Sequence, residues 1–215
     1  MTARQINRIA GSAPGPTLIL VGGLHGNEPA GMEAARIVLS RLRHDKTPLV
    51  GEVIALAGNL RALVARRRYL DRDLNRQWTE DRVVEARGMV AAATDDPAEA
   101  EFHETVELAD AIDAIMARAR GPVYVLDLHT TSSEGTPFGV VGPTKEHRAF
   151  ASHFALPCMV GLESQLPGVL TSYPGRRGCV AYAEEGGQHE GAEARDHLVA
   201  AVTVAIARPD LTVHR

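Results

Sequence analysis

The segment Thr17–Val21, TLILV, does most to limit what this chain can become, because it is a continuous apolar run that ends at a pair of glycines. A run of that length without polar alternation suits a strand covered on both faces, and such strands lie in sheets flanked by helices. Apolar residues return at helical spacing over Met32–Leu42, which predicts a helix after the loop Gly22–Gly31. Val53–Ala57 reads as a second strand. Glu99–Arg118 is a predicted helix with Val106, Ala109, Ile112, Ile115 and Met116 on one face. Pro122 then precedes a strong strand at Val123–Leu128, VYVLDL. Phe138–Val141 and Cys179–Ala183 are further strands, Lys145–Phe154 is helical, and Ala192–Ala207 is a closing helix stopped by Pro209. Ala91–Ala98 reads as a surface loop. Strands alternating with helices predict an α/β fold, a mixed and partly parallel sheet sandwiched between helices. A chain of 215 residues supports one sizeable core and is short for two, so residues 1–215 are expected to form a single domain.

Aromatic residues make up only 4% of the chain, so aliphatic side chains and alanine must fill most of the interior. The net charge of -4 offers no general attraction to nucleic acid or to an anionic membrane. No apolar run approaches the roughly 18 residues that span a bilayer. The N-terminal stretch MTARQINRIAGSAPGP lacks the apolar core of a secretory signal, and cytoplasmic residence is expected. Cys158 and Cys179 are too few for a disulfide framework and read as reduced, buried thiols. A homo-oligomer is left open.

Three predicted strands run into unusual chemistry. The first leads into GGLHGNEPAG, which sets His25 and Glu28 three residues apart. VYVLDL leads into His129, and CVAYA leads into Glu184 and Glu185. Sites in open α/β sheets form outside the carboxyl ends of the strands. If these strands are parallel neighbours, His25, Glu28, His129 and Glu184 share one sheet edge. Two imidazoles and a carboxylate are a standard protein ligand set for catalytic zinc, with a fourth position left for water. Such a site needs a further carboxylate to move the water's proton, and Glu184 suits that task. Asp127 lies two residues before His129, on the same face of a strand, where it would orient the imidazole. Each signal is weak alone; their joint placement favours one metal ion per chain. His103, His147, His153, His189 and His197 read as surface or packing residues, with His189 the one that could line the cleft.

The stretch Asn59–Arg76 holds Arg61, Arg66, Arg67, Arg68, Arg72 and Arg76, interleaved with Asp71 and Asp73. That interleaving and the acidic balance argue against a nucleic-acid patch. One or two of these arginines clamping the carboxylate of a small acidic substrate is the functional reading.

The chain resembles the succinylglutamate desuccinylase/aspartoacylase family, within the zinc carboxypeptidase superfamily. The matching pieces are GGLHGNEPAG at 22–31, NLRA at 59–62, RYLDRDLNR at 68–76, DLHTTSS at 127–133 and EEGGQ at 184–188. This resemblance implies that His25, Glu28 and His129 bind zinc and that Glu184, in preference to Glu185, is general base and then general acid. It also implies that Arg61 polarises the scissile carbonyl, while Asn75 and Arg76 bind a substrate carboxylate. The family's C-terminal capping domain, which supplies a tyrosine, has no counterpart in the chain's expected layout. The spacing of the family's second carboxylate-binding arginine is not reproduced either; Arg176 or Arg177, with Tyr173 nearby, stands in its place. The expected activity is zinc-dependent hydrolysis of the acyl-amide bond of a small carboxylate-bearing, N-acyl amino acid-like substrate. The alternative is a zinc metallocarboxypeptidase acting on peptides. A non-enzymatic alternative, an anion-binding module built on GGLHGNEPAG at a helix N-terminus, fits neither of the usual phosphate-loop patterns.

Overall fold

The computed structural model describes residues 3–92, 99–207 and 211. Among them, β1 (Gln5–Ala10), β2 (Thr17–Gly22), β3 (Glu52–Ala57), β4 (Val123–Thr131), β5 (Phe138–Val141), β6 (Cys158–Val160) and β7 (Val180–Gln188) form one sheet in the order β1-β3-β2-β4-β7-β5-β6. β2 is parallel to both β3 and β4, and β4 is parallel to β7. β1 runs antiparallel on β3, β5 runs antiparallel on β7, and β6 follows β5 in parallel. The helices are α1 (Ala30–His44), α2 (Leu60–Ala65), α3 (Glu80–Ala91), α4 (Ala100–Arg118), α5 (Lys145–Ala151), α6 (Ser172–Gly175) and α7 (Ala194–Ile206). The class is the predicted one, a mixed α/β sheet between helices.

β2 and β3 are buried at every position, as the unbroken apolar run of β2 requires. Leu18 and Leu20 pack with Val38 and Leu39 of α1 and with Leu198 and Val202 of α7. Ile19 and Val21 point the other way, onto Val83 of α3 and Leu108 and Ile112 of α4. Aromatic rings are few and grouped: Phe154 stacks on Tyr182 at 4.4 Å, and Trp78 meets Tyr173 edge-on at 5.5 Å. Full burial of a side chain such as Leu20 contributes roughly 1.5–3 kcal/mol.

Several boundaries differ from the sequence reading. β4 and β7 continue to Thr131 and Gln188, past the predicted ends, because ladder hydrogen bonds persist after the side chains turn polar. β1 and β6 are edge strands, half-buried and exposed respectively, and so lack the apolar run that reveals a central strand. The helix predicted from Lys145 stops at Ala151 and tightens into a single 3-10 turn, Ser152–Phe154. On α4 the buried stripe includes Glu101 and Glu104, whereas Val106 and Met116 are only partly covered. The loop predicted at 91–98 lies, from residue 93 on, outside the described residues. Both cysteines are free, but Cys158 is exposed on β6; only Cys179 is buried, as expected. Among the described residues no helix is long and apolar enough to cross a membrane.

The topology decides where a site can form. From β2 the chain moves outward to β3, then returns to build β4 on the other side of β2. The segments leaving the adjacent carboxyl ends of β2 and β4 therefore diverge. A crevice opens at that reversal of strand order, the usual ligand position in open α/β sheets.

Candidate active site

His25 and Glu28 ride in the loop between β2 and α1, where Glu28 N–H donates to His25 O at 3.1 Å. Gly26 allows this loop to press against its neighbours. A Cβ there would lie 2.1 Å from the Ala62 carbonyl carbon and 2.4 Å from Arg67 O. His129 comes from β4, across the reversal. The three side chains meet: His25 Nδ1 is 2.9 Å from Glu28 Oε1, and His129 Nδ1 is 3.2 Å from Glu28 Oε2. One donor atom from each lies within 4.8 Å of the other two, and all three residues are buried. The opposite ring nitrogens turn to aspartates, His25 Nε2 to Asp73 Oδ1 at 3.1 Å and His129 Nε2 to Asp127 Oδ2 at 2.9 Å.

This donor set fits a divalent metal ion. Both Nδ1 atoms converge on one carboxylate, and two imidazoles with a carboxylate are a usual zinc donor set. With a metal bound, an aspartate behind each imidazole would hold the ring proton on Nε2 and leave Nδ1 to coordinate. Electrostatics agree. Burial pushes the Glu28 carboxyl up, but hydrogen bonds to His129 and His25 reverse this and hold it well below the usual carboxylate range. Burial likewise opposes charge on Asp73, and His25 and Arg68 more than offset it. His129 is fully buried, which disfavours its charged form, yet Asp127 and Glu28 raise it well above the ordinary imidazole value. The carboxylates of Glu28, Asp73 and Asp127 surround the two rings, and a bound cation would balance them in place of a ring proton.

These groups line a cleft of about 280 Å³. Arg68, Asn75 and Arg76 enter from the segment after α2, Glu163 and Thr171 from the segment before α6, and Ala183 and Glu185 from β7. Arg68 donates to Glu28 Oε1 at 3.4 Å and to Asp73 Oδ2 at 3.2 Å. Asn75 is held at the cleft by its Oδ1, which accepts from Leu170 N–H at 2.8 Å.

Strand register places the two candidate glutamates on opposite faces of the sheet. In β4 and β7, His129 pairs with Glu185 and Leu128 with Glu184. Paired residues of parallel strands project to the same face, so Glu185 shares the His129 side and Glu184 lies on the opposite side of the sheet. There Glu184 is buried beside Phe154, Leu156 and His197. Burial pushes its carboxyl up to about 8, against a weaker opposing hydrogen bond with Tyr182. Glu185 lines the cleft, its Oε2 buried without a hydrogen-bond partner, and burial raises its carboxyl too.

Arg61, expected to polarise the scissile carbonyl, does not line the cleft. Its guanidinium pairs with Glu104 at 2.7 Å and Glu107 at 3.1 Å on α4, away from the cleft, and Arg68 takes the place beside the imidazoles. Tyr173, Arg176 and Arg177 do not reach the cleft either. Tyr173 is buried and donates to Asp113 at 2.8 Å, Arg176 donates to Trp78 O, and Arg177 stacks over the Tyr173 ring. Their partners are all structural. Asp127, Asn75 and Arg76 do line the cleft. His189 stands behind it, 2.8 Å from the Thr130 hydroxyl.

Residues 14–204 match the family described as the succinylglutamate desuccinylase/aspartoacylase catalytic domain. The chain belongs to this family. A succinylglutamate desuccinylase from Burkholderia thailandensis is 30% identical over 114 residues, which are 53% of this chain and 30% of that protein. A probable aspartoacylase from Parasynechococcus marenigrum is 46% identical over 65 residues, 30% of this chain and 21% of that one. Among solved structures, the succinylglutamate desuccinylase from Chromobacterium violaceum superposes with a TM-score of 0.73 at 19% identity, covering 96% of this chain and 65% of that one. A succinylglutamate desuccinylase/aspartoacylase from Rhodobacter sphaeroides gives 0.72 at 24%, covering 96% and 59%. The chain thus spans less than two thirds of these relatives.

Within this desuccinylase/aspartoacylase fold, sequence reasoning gave no means to single out Asp73 and Arg68 and overlooked Glu101. Asp73 and Arg68 were lost among alternating charges in RYLDRDLNR. Glu101 carries no local signal, yet it is fully buried. It accepts from Leu70 N–H at 2.7 Å, Asp71 N–H at 3.0 Å and Asn59 Nδ2 at 2.9 Å, anchoring the loop that presents Arg68 and Asp73.

Glu184, on the far face of the sheet, makes its own prediction. The folded chain holds the Glu184 proton to about pH 8, whereas the unfolded chain releases it near the ordinary value of 4.5. Stability contributed by the protonated form is complete below about pH 4 and is lost as pH rises toward 8. Glu184→Gln has no proton to release. Its stability relative to the parent should rise by a few kcal/mol between pH 5 and pH 8.5, at roughly 1.4 kcal/mol per pKa unit. Urea denaturation at the two pH values measures this; an equal loss at both would mean the carboxyl makes a bond that glutamine cannot replace.

Proposed function

We propose that this chain is a zinc-dependent amidohydrolase, with one ion per chain, that cleaves the acyl-amide bond of a small carboxylate-bearing, N-acyl amino acid-like substrate. One observation carries the reading: His25, Glu28 and His129 converge in a buried cleft that also receives the unpartnered Oε2 of Glu185. These three residues would hold the zinc ion, which would supply a Lewis acid and lower the pKa of a bound water to about 7. Glu185 accepts the proton of the attacking water and later delivers it to the departing nitrogen, for which a carboxyl raised by burial is suited. Arg68 meets the negative charge that develops on the carbonyl oxygen, a role supported by its position beside Glu28. Asn75 and Arg76 bind the substrate carboxylate, Arg76 by its planar pair of donors. Asp127 and Asp73 hold the two rings in orientation.

The test combines metal analysis with a substrate panel. Protein purified without added metal should carry close to one zinc per chain, lose turnover of N-acyl amino acids on chelation, and recover it with zinc. Faster cleavage of short peptides than of acyl amino acids would move the assignment to a carboxypeptidase. Protein that neither binds zinc nor hydrolyses either class would end it.

A further inference from the structure

The cleft contains one carboxylate that the chemistry does not use. Glu163 lines it together with Arg68 and Arg76, from the segment between β6 and α6. Its Oε1 accepts the Thr171 hydroxyl at 2.6 Å, and among the described residues no arginine, lysine or histidine forms an ion pair with it. A single hydroxyl donor leaves most of the acceptor capacity of an ionised carboxylate unfilled. An anion there works against a purely anionic substrate, since like charges in one cleft discriminate against such a ligand.

Backbone and side-chain hydrogen bonds also join the two sides of the cleft. The segment holding Glu163 is tied to the segment holding Arg76 by two hydrogen bonds, Leu170 N–H to Asn75 Oδ1 at 2.8 Å and Trp78 N–H to Gly168 O at 3.1 Å. Gly168 has φ +82°, and a Cβ there would lie 2.4 Å from Arg76 O, so the contact depends on glycine. Opposite charges on two pinned segments suit a ligand that itself carries both signs.

We propose that Glu163 is a specificity-determining residue that receives a cationic amine on the substrate, so that the preferred substrate is an N-acyl diamino acid whose carboxylate faces Arg76 and Asn75 and whose free ammonium faces Glu163. This rests on the hydrolase reading above and narrows its substrate class.

The test compares Nα-acetylornithine with Nα-acetylnorleucine, nearly its isostere without the charge, and with Nα-acetylglutamate, of opposite charge. In the zinc-loaded protein, kcat/KM for acetylornithine should exceed that for each of the others at least tenfold, mainly through KM. Glu163→Gln should bring the ornithine-to-norleucine ratio to near unity, and Glu163→Lys should turn the preference toward acetylglutamate. Calorimetric titration of free ornithine and norleucine reads the same subsite without turnover, with ornithine at least tenfold tighter in the parent and not in Glu163→Gln. Ornithine selectivity of that kind in a protein that cleaves none of the three amides would retain the subsite and overturn the hydrolase reading. Turnover with acetylnorleucine or acetylglutamate preferred, or with a ratio that Glu163→Gln leaves unaltered, would overturn the subsite and retain the hydrolase.

Discussion

Replacing Glu185 with glutamine is expected to lower kcat by about 10²- to 10⁴-fold, the usual worth of a positioned general base, while zinc content stays at the parental level. Glutamine keeps the size and one acceptor oxygen of the side chain but cannot take a proton. Glu185 is the glutamate placed for this work because its pairing with His129 brings it to the cleft side of the sheet. Its Oε2 is buried with no protein donor, an unfavourable state that a bound water would relieve. The comparison that gives the experiment its force is Glu184→Gln, one residue away on the opposite face, which should keep its turnover. If Glu184→Gln were inactive and Glu185→Gln active, both with zinc bound, the proton path proposed for this cleft would be wrong.

The second large effect is expected far from the reacting atoms. Glu101→Ala should destabilise the fold by about 3–5 kcal/mol, because it strands several buried donors and each costs roughly 1–3 kcal/mol when solvent replaces the lost bond only in part. The donors are the Leu70 and Asp71 N–H groups and the Asn59 side chain, whose own Oδ1 caps α2 through Ala62 N–H. Glu101 never touches the cleft; it is a positioning residue for the loop that carries Arg68, Asp73, Asn75 and Arg76. Loss of kcat/KM should therefore accompany the loss of stability, and Glu101→Gln, which retains one carbonyl acceptor, should recover part of both. Chemical denaturation and steady-state kinetics on the same preparations measure the two effects. A Glu101→Ala protein within about 1 kcal/mol of the parent would show that the loop holds itself.

The central strands were legible because an unbroken apolar run such as Thr17–Val21 has few other fates in a chain of this size. The mixed sheet between helices follows from how those runs alternate with helical spacing. His25, Glu28 and His129 were legible for a related reason: each lies at the carboxyl end of a strand readable from its own residues, and parallel neighbours bring such ends together. Facing direction was not legible at β7. Glu184 and Glu185 are chemically identical neighbours, and only the pairing of β7 with β4 states which of them points at His129, since a shift of one residue exchanges the two faces. The arginines pose the same difficulty in another form. Arg61 and Arg68 carry the same long side chain, and only the packed fold shows that Arg61 pairs with buried Glu104 on α4 while Arg68 lines the cleft. Charge and periodicity identify which residue types are available along a strand or loop; which of them meet depends on partners many residues distant, and those contacts exist only once the sheet and α4 have packed.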